Sequence, residues 1–88
     1  LISAIEGFIY PNPTGNENMR LRIQAMNNDA PIEVQIMSIS GQLHYSQQFE
    51  GAFYIDEKIV LQRALPPGVY LLNIKQGENL TRDKLIIK

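Results

Sequence analysis

The sequence predicts an all-β domain in which antiparallel strands form a β-sandwich of about seven strands. Short apolar segments that alternate with period two recur along the chain, and turn residues such as Gly, Pro and Asn separate them. No window repeats apolar residues at i, i+3, i+4 and i+7 over two turns, so no helix is expected. We therefore interpret the chain as stacked sheets.

Length and composition indicate one folded domain spanning residues 1–88. The chain is 44% hydrophobic and 19% charged, which is ordinary for a globular domain and too apolar for a disordered one. The formal charge of -1 is spread without basic blocks, so nucleic acid is not an expected partner. Apolar runs are too short for a transmembrane helix, and cysteines are absent. Because Leu1 does not open a signal peptide, the chain is expected to be a fragment of a longer protein.

The stretch Leu65–Ile74 predicts a turn that leads into a central strand. Two prolines restrict the backbone, Gly68 permits a left-handed turn, and a β-prone run follows. Apolar residues occupy both faces of this strand, so both are expected to be at least partly covered. Gly68 just ahead of Tyr70 also fits the tyrosine corner of immunoglobulin-like domains.

Four segments before the centre predict strands. The first strand, Ile5–Tyr10, stops at the stiff corner Pro11–Asn16, beneath which Tyr10 is expected to pack. The next two are Met19–Met26, with Leu21, Ile23 and Ala25 inward, and a strand from Ile32 in which a β-bulge at Met37–Ser38 restores the register. Ser40–Gly41 then makes a hairpin to a strand containing Leu43, Tyr45 and Phe49.

The remaining segments complete the count of strands. Residues 53–55 predict a short edge strand, and Ile59 with Leu61 predicts a strand leading to the central turn. Gln76–Asn79 predicts a last hairpin, and Leu80–Lys88 a final strand whose lysines protect its ends.

The sequence predicts no catalytic, cofactor-binding or metal-binding residues. His44 is the only histidine and is interpreted as a solvated strand residue. Asp56 and Glu57 are adjacent, so they point to opposite faces and are expected to be surface charges, as is Glu78. The sequon at Asn79 is a short pattern that occurs by chance. Tyr45 and Tyr54 could stack on sugars, but such residues are more often core.

Three segments in this order and spacing resemble the C-terminal sorting domain of cargo proteins of the type IX (Por) secretion system of Bacteroidetes. They are residues 10–15 (Tyr-Pro-Asn-Pro-Thr-Gly), residues 32–42 ending in Gly41-Gln42, and the turn at 65–70 with the terminal Lys-Leu-Ile-Ile-Lys at 84–88. Members of this family usually carry an aspartate before the mid-domain glycine and a basic residue after it, where this chain has Ser38 and Gln42. The positions that match the family motifs, with a structural or recognition role, are Tyr10, Pro11, Asn12, Pro13, Gly15, Gly41, Leu65, Pro67, Gly68, Tyr70, Lys84, Leu85, Ile87 and Lys88.

The resemblance implies a signal module and not an enzyme. It implies a folded immunoglobulin-like sandwich at the end of a surface or secreted protein, which the outer-membrane translocon reads. A sortase-like cysteine peptidase is then expected to remove it, with the cargo released or joined to an anionic lipopolysaccharide. The alternative is an accessory β-sandwich of an extracellular enzyme that binds carbohydrate or acts as a spacer, and this requires an exposed aromatic platform or a polar groove.

Overall fold

The computed structural model describes residues 5–88. Residues 1–4, which the predicted domain includes, lie outside the described residues. The described part contains seven β-strands and no helix, which confirms the all-β prediction. The strands are β1 (Ile5–Tyr10), β2 (Arg20–Ala25), β3 (Ile32–Ser38), β4 (Leu43–Phe49), β5 (Tyr54–Lys58), β6 (Gly68–Gln76) and β7 (Asn79–Ile87).

Two antiparallel sheets form the sandwich. The three-stranded sheet has the order β1-β2-β5, and the four-stranded sheet has the order β4-β3-β6-β7. The pairs β3–β4 and β6–β7 are consecutive in the chain and are joined by hairpins. The neighbours β3 and β6 are not consecutive, because the chain between them forms β4 in the same sheet and β5 in the other sheet. This division of strands, with a tyrosine on the next-to-last strand, is the arrangement of an immunoglobulin-like sandwich.

The core lies between the sheets and is almost entirely aliphatic. Alternate side chains point inward along each strand, as period two requires, and every strand except β4 contributes a buried apolar residue. From β4, Tyr45 and Phe49 pack against the core while remaining partly exposed. Each fully buried aliphatic side chain stabilises the fold by about 1.5–3 kcal/mol relative to an exposed one.

Gly7 allows the two sheets to approach closely at the centre of β1. A methyl group added at this position would overlap Ile74 Cδ1 of the facing sheet and lie 3.1 Å from the carbonyl oxygen of Arg22. The absent side chain therefore provides the space that Ile74 occupies.

The strand of the stretch Leu65–Ile74 is central, as predicted, and both of its faces are at least partly covered, since Leu71 is half-buried and Asn73 buried on the outer one. β6 lies between β3 and β7, and its inward residues Tyr70, Leu72 and Ile74 are buried. On the other face Val69 is 39% exposed, because this small sandwich has no third layer to cover it.

The predicted bulge is present, but its extra residue is in β4. Ile36 pairs with Tyr45 while Met37 pairs with Leu43, so His44 is the additional residue. Leu43 and Tyr45 consequently lie on opposite faces, and Leu43 is half exposed. His44 lies in a strand, as predicted, but it is half-buried and its ring meets the ring of Tyr70 edge-on at 5.5 Å.

The predicted strand at Ile59 and Leu61 does not form. β5 ends at Lys58, and the segment that follows leaves the three-stranded sheet and crosses to the start of β6. Ile59 is only 2% exposed and donates its N–H to the carbonyl of Met19, so it fills the core without extending a ladder. Its apolar character reflects burial in a crossover segment.

Candidate recognition surface

The Pro-Asn-Pro corner is hydrogen-bonded along the outer edge of the terminal strand. The Asn12 side chain donates to the Lys84 carbonyl at 2.8 Å and accepts from the Ile86 N–H at 3.0 Å. Thr14 continues the contact through its backbone, donating to the Ile86 carbonyl and accepting from the Lys88 N–H, both at 2.9 Å. We call these four bonds the edge clamp. They cover the end of β7, which would otherwise present unpaired backbone groups.

A second asparagine ties the same corner to the central turn. Asn16 donates from Nδ2 to the Leu65 carbonyl at 3.0 Å and accepts the Leu65 N–H through Oδ1 at 2.6 Å. Both polar backbone groups of a residue outside any strand are thereby satisfied, and the Leu65 side chain is buried in the core.

Tyr70 closes a tyrosine corner, which the sequence spacing only suggested. Its hydroxyl donates to the carbonyl of Pro66, four residues earlier, at 2.6 Å. Between them Gly68 has a φ of 156°, a conformation that residues with a side chain rarely adopt. The turn and the first residues of β6 are thus held as one unit.

The hairpin at Gly41 belongs to the same end of the sandwich. Ser38 pairs with Tyr70 in the ladder, and Gly41 has a φ of 95° in the turn that follows. The Ser38 hydroxyl accepts the Gln42 N–H at 3.0 Å and lies 2.9 Å from the Ser40 hydroxyl. The Ser38 side chain therefore makes a main-chain contact that closes this turn.

All the residues predicted from motifs gather at one end of the sandwich, which we call the motif end. It contains the corner 11–16, the hairpin at Gly41, the turn 65–70 and the terminus 84–88. Leu65, Tyr70, Leu85 and Ile87 are buried and maintain the fold. Tyr10 and Gly15 are half-buried. The remaining motif residues are exposed: Pro11, Asn12, Pro13, Gly41, Pro67, Gly68, Lys84 and Lys88.

Tyr10 does not pack beneath the corner but lies on the outer face of the three-stranded sheet. There its hydroxyl donates to Asp56, 3.0 Å from both carboxylate oxygens. Arg20 and Arg22 donate to the same carboxylate at 3.1 and 3.3 Å. Asp56 is therefore the centre of a polar cluster on this outer face, and is more than the simple surface charge that was expected.

Sequence reasoning missed this cluster because it depends on strand pairing. Asp56 lies directly opposite Arg22 in the ladder between β2 and β5, and Arg20 is one diagonal neighbour away. The alternation of two arginines with apolar residues in β2 was the available signal, because it placed both guanidinium groups on one face. The carboxylate partner becomes evident only when the register is known.

The hydrogen bonds of the cluster determine its protonation. Removal of water from around Asp56 by itself would raise its pKa, but hydrogen bonds from Tyr10, Arg22 and Arg20 outweigh this effect and the pKa lies below its ordinary value of 3.8. The pKa of Arg20 is raised by its hydrogen bonds to Tyr10 and Asp56, and that of Arg22 by its hydrogen bond to Asp56. Asp56 is a carboxylate at neutral pH.

The aromatic rings on this face do not form a flat platform. Phe8 and Tyr10 have ring centroids 5.9 Å apart but are tilted by 55°. Tyr54 is 53% exposed, and its hydroxyl is 3.4 Å from Asp56. A sugar ring that stacked on Phe8 would thus not also stack on Tyr10.

Residues 5–88 show neither of two common functional features. They hold no group of three His, Cys, Asp or Glu side chains arranged to bind a metal ion. Within the same range, no helix has the length and apolar character needed to cross a membrane.

Fold and surface together define a small immunoglobulin-like module with its motif residues concentrated at one end. Comparison with known families gives the more specific class, because residues 8–88 match the model of the secretion system C-terminal sorting domain. The match covers nearly the whole chain, and the chain belongs to this family of type IX secretion sorting domains. A search of curated proteins found no match to the chain.

Proposed function

We propose that this domain is the signal that directs its parent protein through the outer membrane by the type IX secretion system. The family match over residues 8–88 carries the proposal. In it the outer-membrane translocon is the partner and the domain is a substrate, without catalysis or cofactor of its own. The parent protein would be secreted or held at the cell surface after transit through the periplasm.

The exposure of the motif residues supports this function. Eight motif positions are exposed at the motif end, and some of them, such as Asn12 and Gly68, also hold the fold. Backbone and side-chain groups of these residues are available to a protein that reads the domain after it has folded. We further propose that a sortase-like peptidase removes the domain once the cargo has passed through.

The decisive experiment fuses residues 1–88 to the end of a periplasmic reporter in a host that has the system. We expect the reporter to appear at the cell surface or in the medium, without the domain. A second fusion carries a long polar tail after Lys88, whose side chain is exposed and whose N–H bonds Thr14. This tail should leave the melting temperature unchanged and should retain the reporter in the periplasm.

The outcomes of the two fusion experiments distinguish the sorting function, the role of a free terminus and the removal step. Normal export of the tailed fusion would show that a free terminus is not what the translocon reads. Retention of the unmodified, folded fusion in the periplasm would contradict the sorting function and favour an accessory module. Export with the domain still attached would contradict only the removal step.

A further inference from the structure

An apolar strip crosses all four strands on the outer face of the larger sheet. Neighbours in the ladders place its members side by side, since Ile86 pairs with Val69, and Met37 pairs with both Leu71 and Leu43. Val69 and Leu71 are two residues apart on β6 and so share a face. We call this set of five residues the apolar strip.

The strip combines exposed and half-buried apolar side chains that lie next to one another. Leu43 is 49%, Val69 39% and Ile86 36% exposed, while Met37 and Leu71 are half-buried between them. Ile39, in the adjoining turn, is 70% exposed. A continuous row of this kind is a feature of interaction sites, in contrast to single apolar residues scattered on a surface.

The charges beside the strip are of one sign. Among the described residues of β3, β4, β6 and β7 that share its face, the only acid is Glu33, and it lies opposite Lys75 in the ladder. Lys84 stands directly beside Leu71, and Arg82 is the next residue of β7 on that face. Asp83 lies on the opposite face and accepts the Lys84 N–H. The strip therefore has an unbalanced basic border.

A shallow groove continues the strip along the same face. Its lining includes Met37, which is also part of the strip, together with Asn73 and Arg82. The Arg82 guanidinium donates through Nε to Asn73 Oδ1 at 2.7 Å, and Asn73 donates to the sulfur of Met37. These two bonds connect Arg82 to Met37 through the Asn73 side chain.

We infer that the apolar strip is a docking surface for a protein of the secretion machinery, one that presents apolar side chains flanked by carboxylates. This inference rests on the proposed function and adds the surface that is bound. The apolar row supplies the buried centre of such an interface, and Lys84 with Arg82 supplies its charged rim.

The shape of the strip favours a protein over an anionic membrane. Its side chains lie in a sheet and are partly buried, so they have little reach into a lipid bilayer. Three basic residues, one of them opposite Glu33, also fall short of the clusters of about 4–8 that bind anionic lipids. A folded surface of matching shape can contact the whole row at once.

The test measures binding of the domain fused to its reporter to the detergent-solubilised outer-membrane translocon. Leu43→Ser alters the strip far from the terminus, and Phe53→Ser is the matched control because Phe53 is 57% exposed outside this face. Lys84→Glu tests the rim, with Lys58→Glu on the other sheet as its control. We expect Leu43→Ser and Lys84→Glu each to weaken binding about tenfold, and Lys84→Glu to reduce its salt dependence.

The outcomes separate this inference from the function on which it rests. Wild-type export together with unchanged binding by a folded Leu43→Ser variant would overturn the docking surface and leave the sorting function intact. Failure of the wild-type fusion to be exported would overturn both. If the same variants instead lose binding to vesicles of phosphatidylglycerol, and translocon binding is unaffected, the surface binds lipid.

Discussion

At the scale of the residue, two asparagine side chains form hydrogen bonds with backbone groups that no neighbouring strand pairs. Asn12 and Asn16 each use one amide to satisfy both a backbone donor and a backbone acceptor. An asparagine can do this because its side chain carries both functions in nearly the geometry of a peptide group. The family corner is thus explained as a structural clamp whose outer surface remains exposed.

Asn12→Ala removes half of the edge clamp. We expect the free energy of unfolding to fall by about 1 kcal/mol, because two exposed hydrogen bonds are lost and water replaces them only in part. Hydrogen exchange at the Ile86 amide should accelerate more than exchange in the centre of β7. Asn18→Ala, in the same loop, is the control and should leave both quantities unchanged. Equal exchange rates in the two variants would show that the Asn12 side chain does not hold the strand.

Asp56→Asn should alter how stability depends on pH. Because the folded state lowers the pKa of Asp56 below 3.8, its stabilising effect is complete above that value and is lost as pH falls through the folded pKa. The melting temperatures of wild type and variant should therefore differ most near neutral pH and converge in acid. Glu57→Gln is the control, since this exposed neighbour takes no part in the cluster. A constant difference between wild type and Asp56→Asn from neutral to acid pH would contradict the assignment.

At the scale of the element, local patterns were sufficient for most strands. Alternation in β2 and β3, and the turn residues before β6 and β7, depend on neighbours in sequence, so they predicted bounds within a few residues. What depends on contacts between distant segments was not predictable. The Asp56 cluster requires the register of β2 and β5, and the edge clamp joins residues more than seventy positions apart. The strand predicted at Ile59 was wrong for a similar reason, because an apolar residue is buried both in a strand and in a segment that crosses between sheets.

Substitutions in the central strand β6 and in the turn before it should both lower the free energy of unfolding. Tyr70→Ala removes a buried ring and should cost about 3–5 kcal/mol. Tyr70→Phe loses only the bond to Pro66 and should cost about 0.5–1.5 kcal/mol. In Gly68→Val the Cβ lies in open space, but the residue must adopt the φ of 156°, at a cost of about 1–3 kcal/mol. Urea unfolding of the three variants measures these differences, and a Tyr70→Ala variant as stable as Tyr70→Phe would contradict the central placement of this ring.

At the scale of the whole molecule, the separation of the sheets depends on Gly7. Every other inward position of β1 carries a buried isoleucine, and the space above Gly7 is taken by Ile74 from the facing sheet. The sandwich is therefore closest where a strand of one sheet carries no side chain. This arrangement makes the core of a small domain sensitive to a single added group.

Gly7→Val should destabilise the domain by about 1–3 kcal/mol, because the new side chain overlaps Ile74. The double variant with Ile74→Val should recover part of the loss, since the two changes act on one space. Thermal unfolding of the single and double variants measures this coupling. Gly15→Ala is the control, as no atom lies within 4 Å of the added carbon. Additive effects of the two substitutions would indicate that Gly7 and Ile74 do not share that space.

The edge clamp also determines how the domain responds to mechanical force. Residues 12–14 run parallel to residues 84–88, and β1 leads into the corner from the opposite end of a molecule about 35 Å long. A pull on Lys88 away from Ile5 is therefore directed along the strands, so the bonds of the clamp are loaded together in shear. Bonds loaded in this way must break at once, whereas a peeled edge opens one bond at a time. When force is applied at Lys88, the hydrogen bonds of the edge clamp will therefore resist first, before the core unfolds.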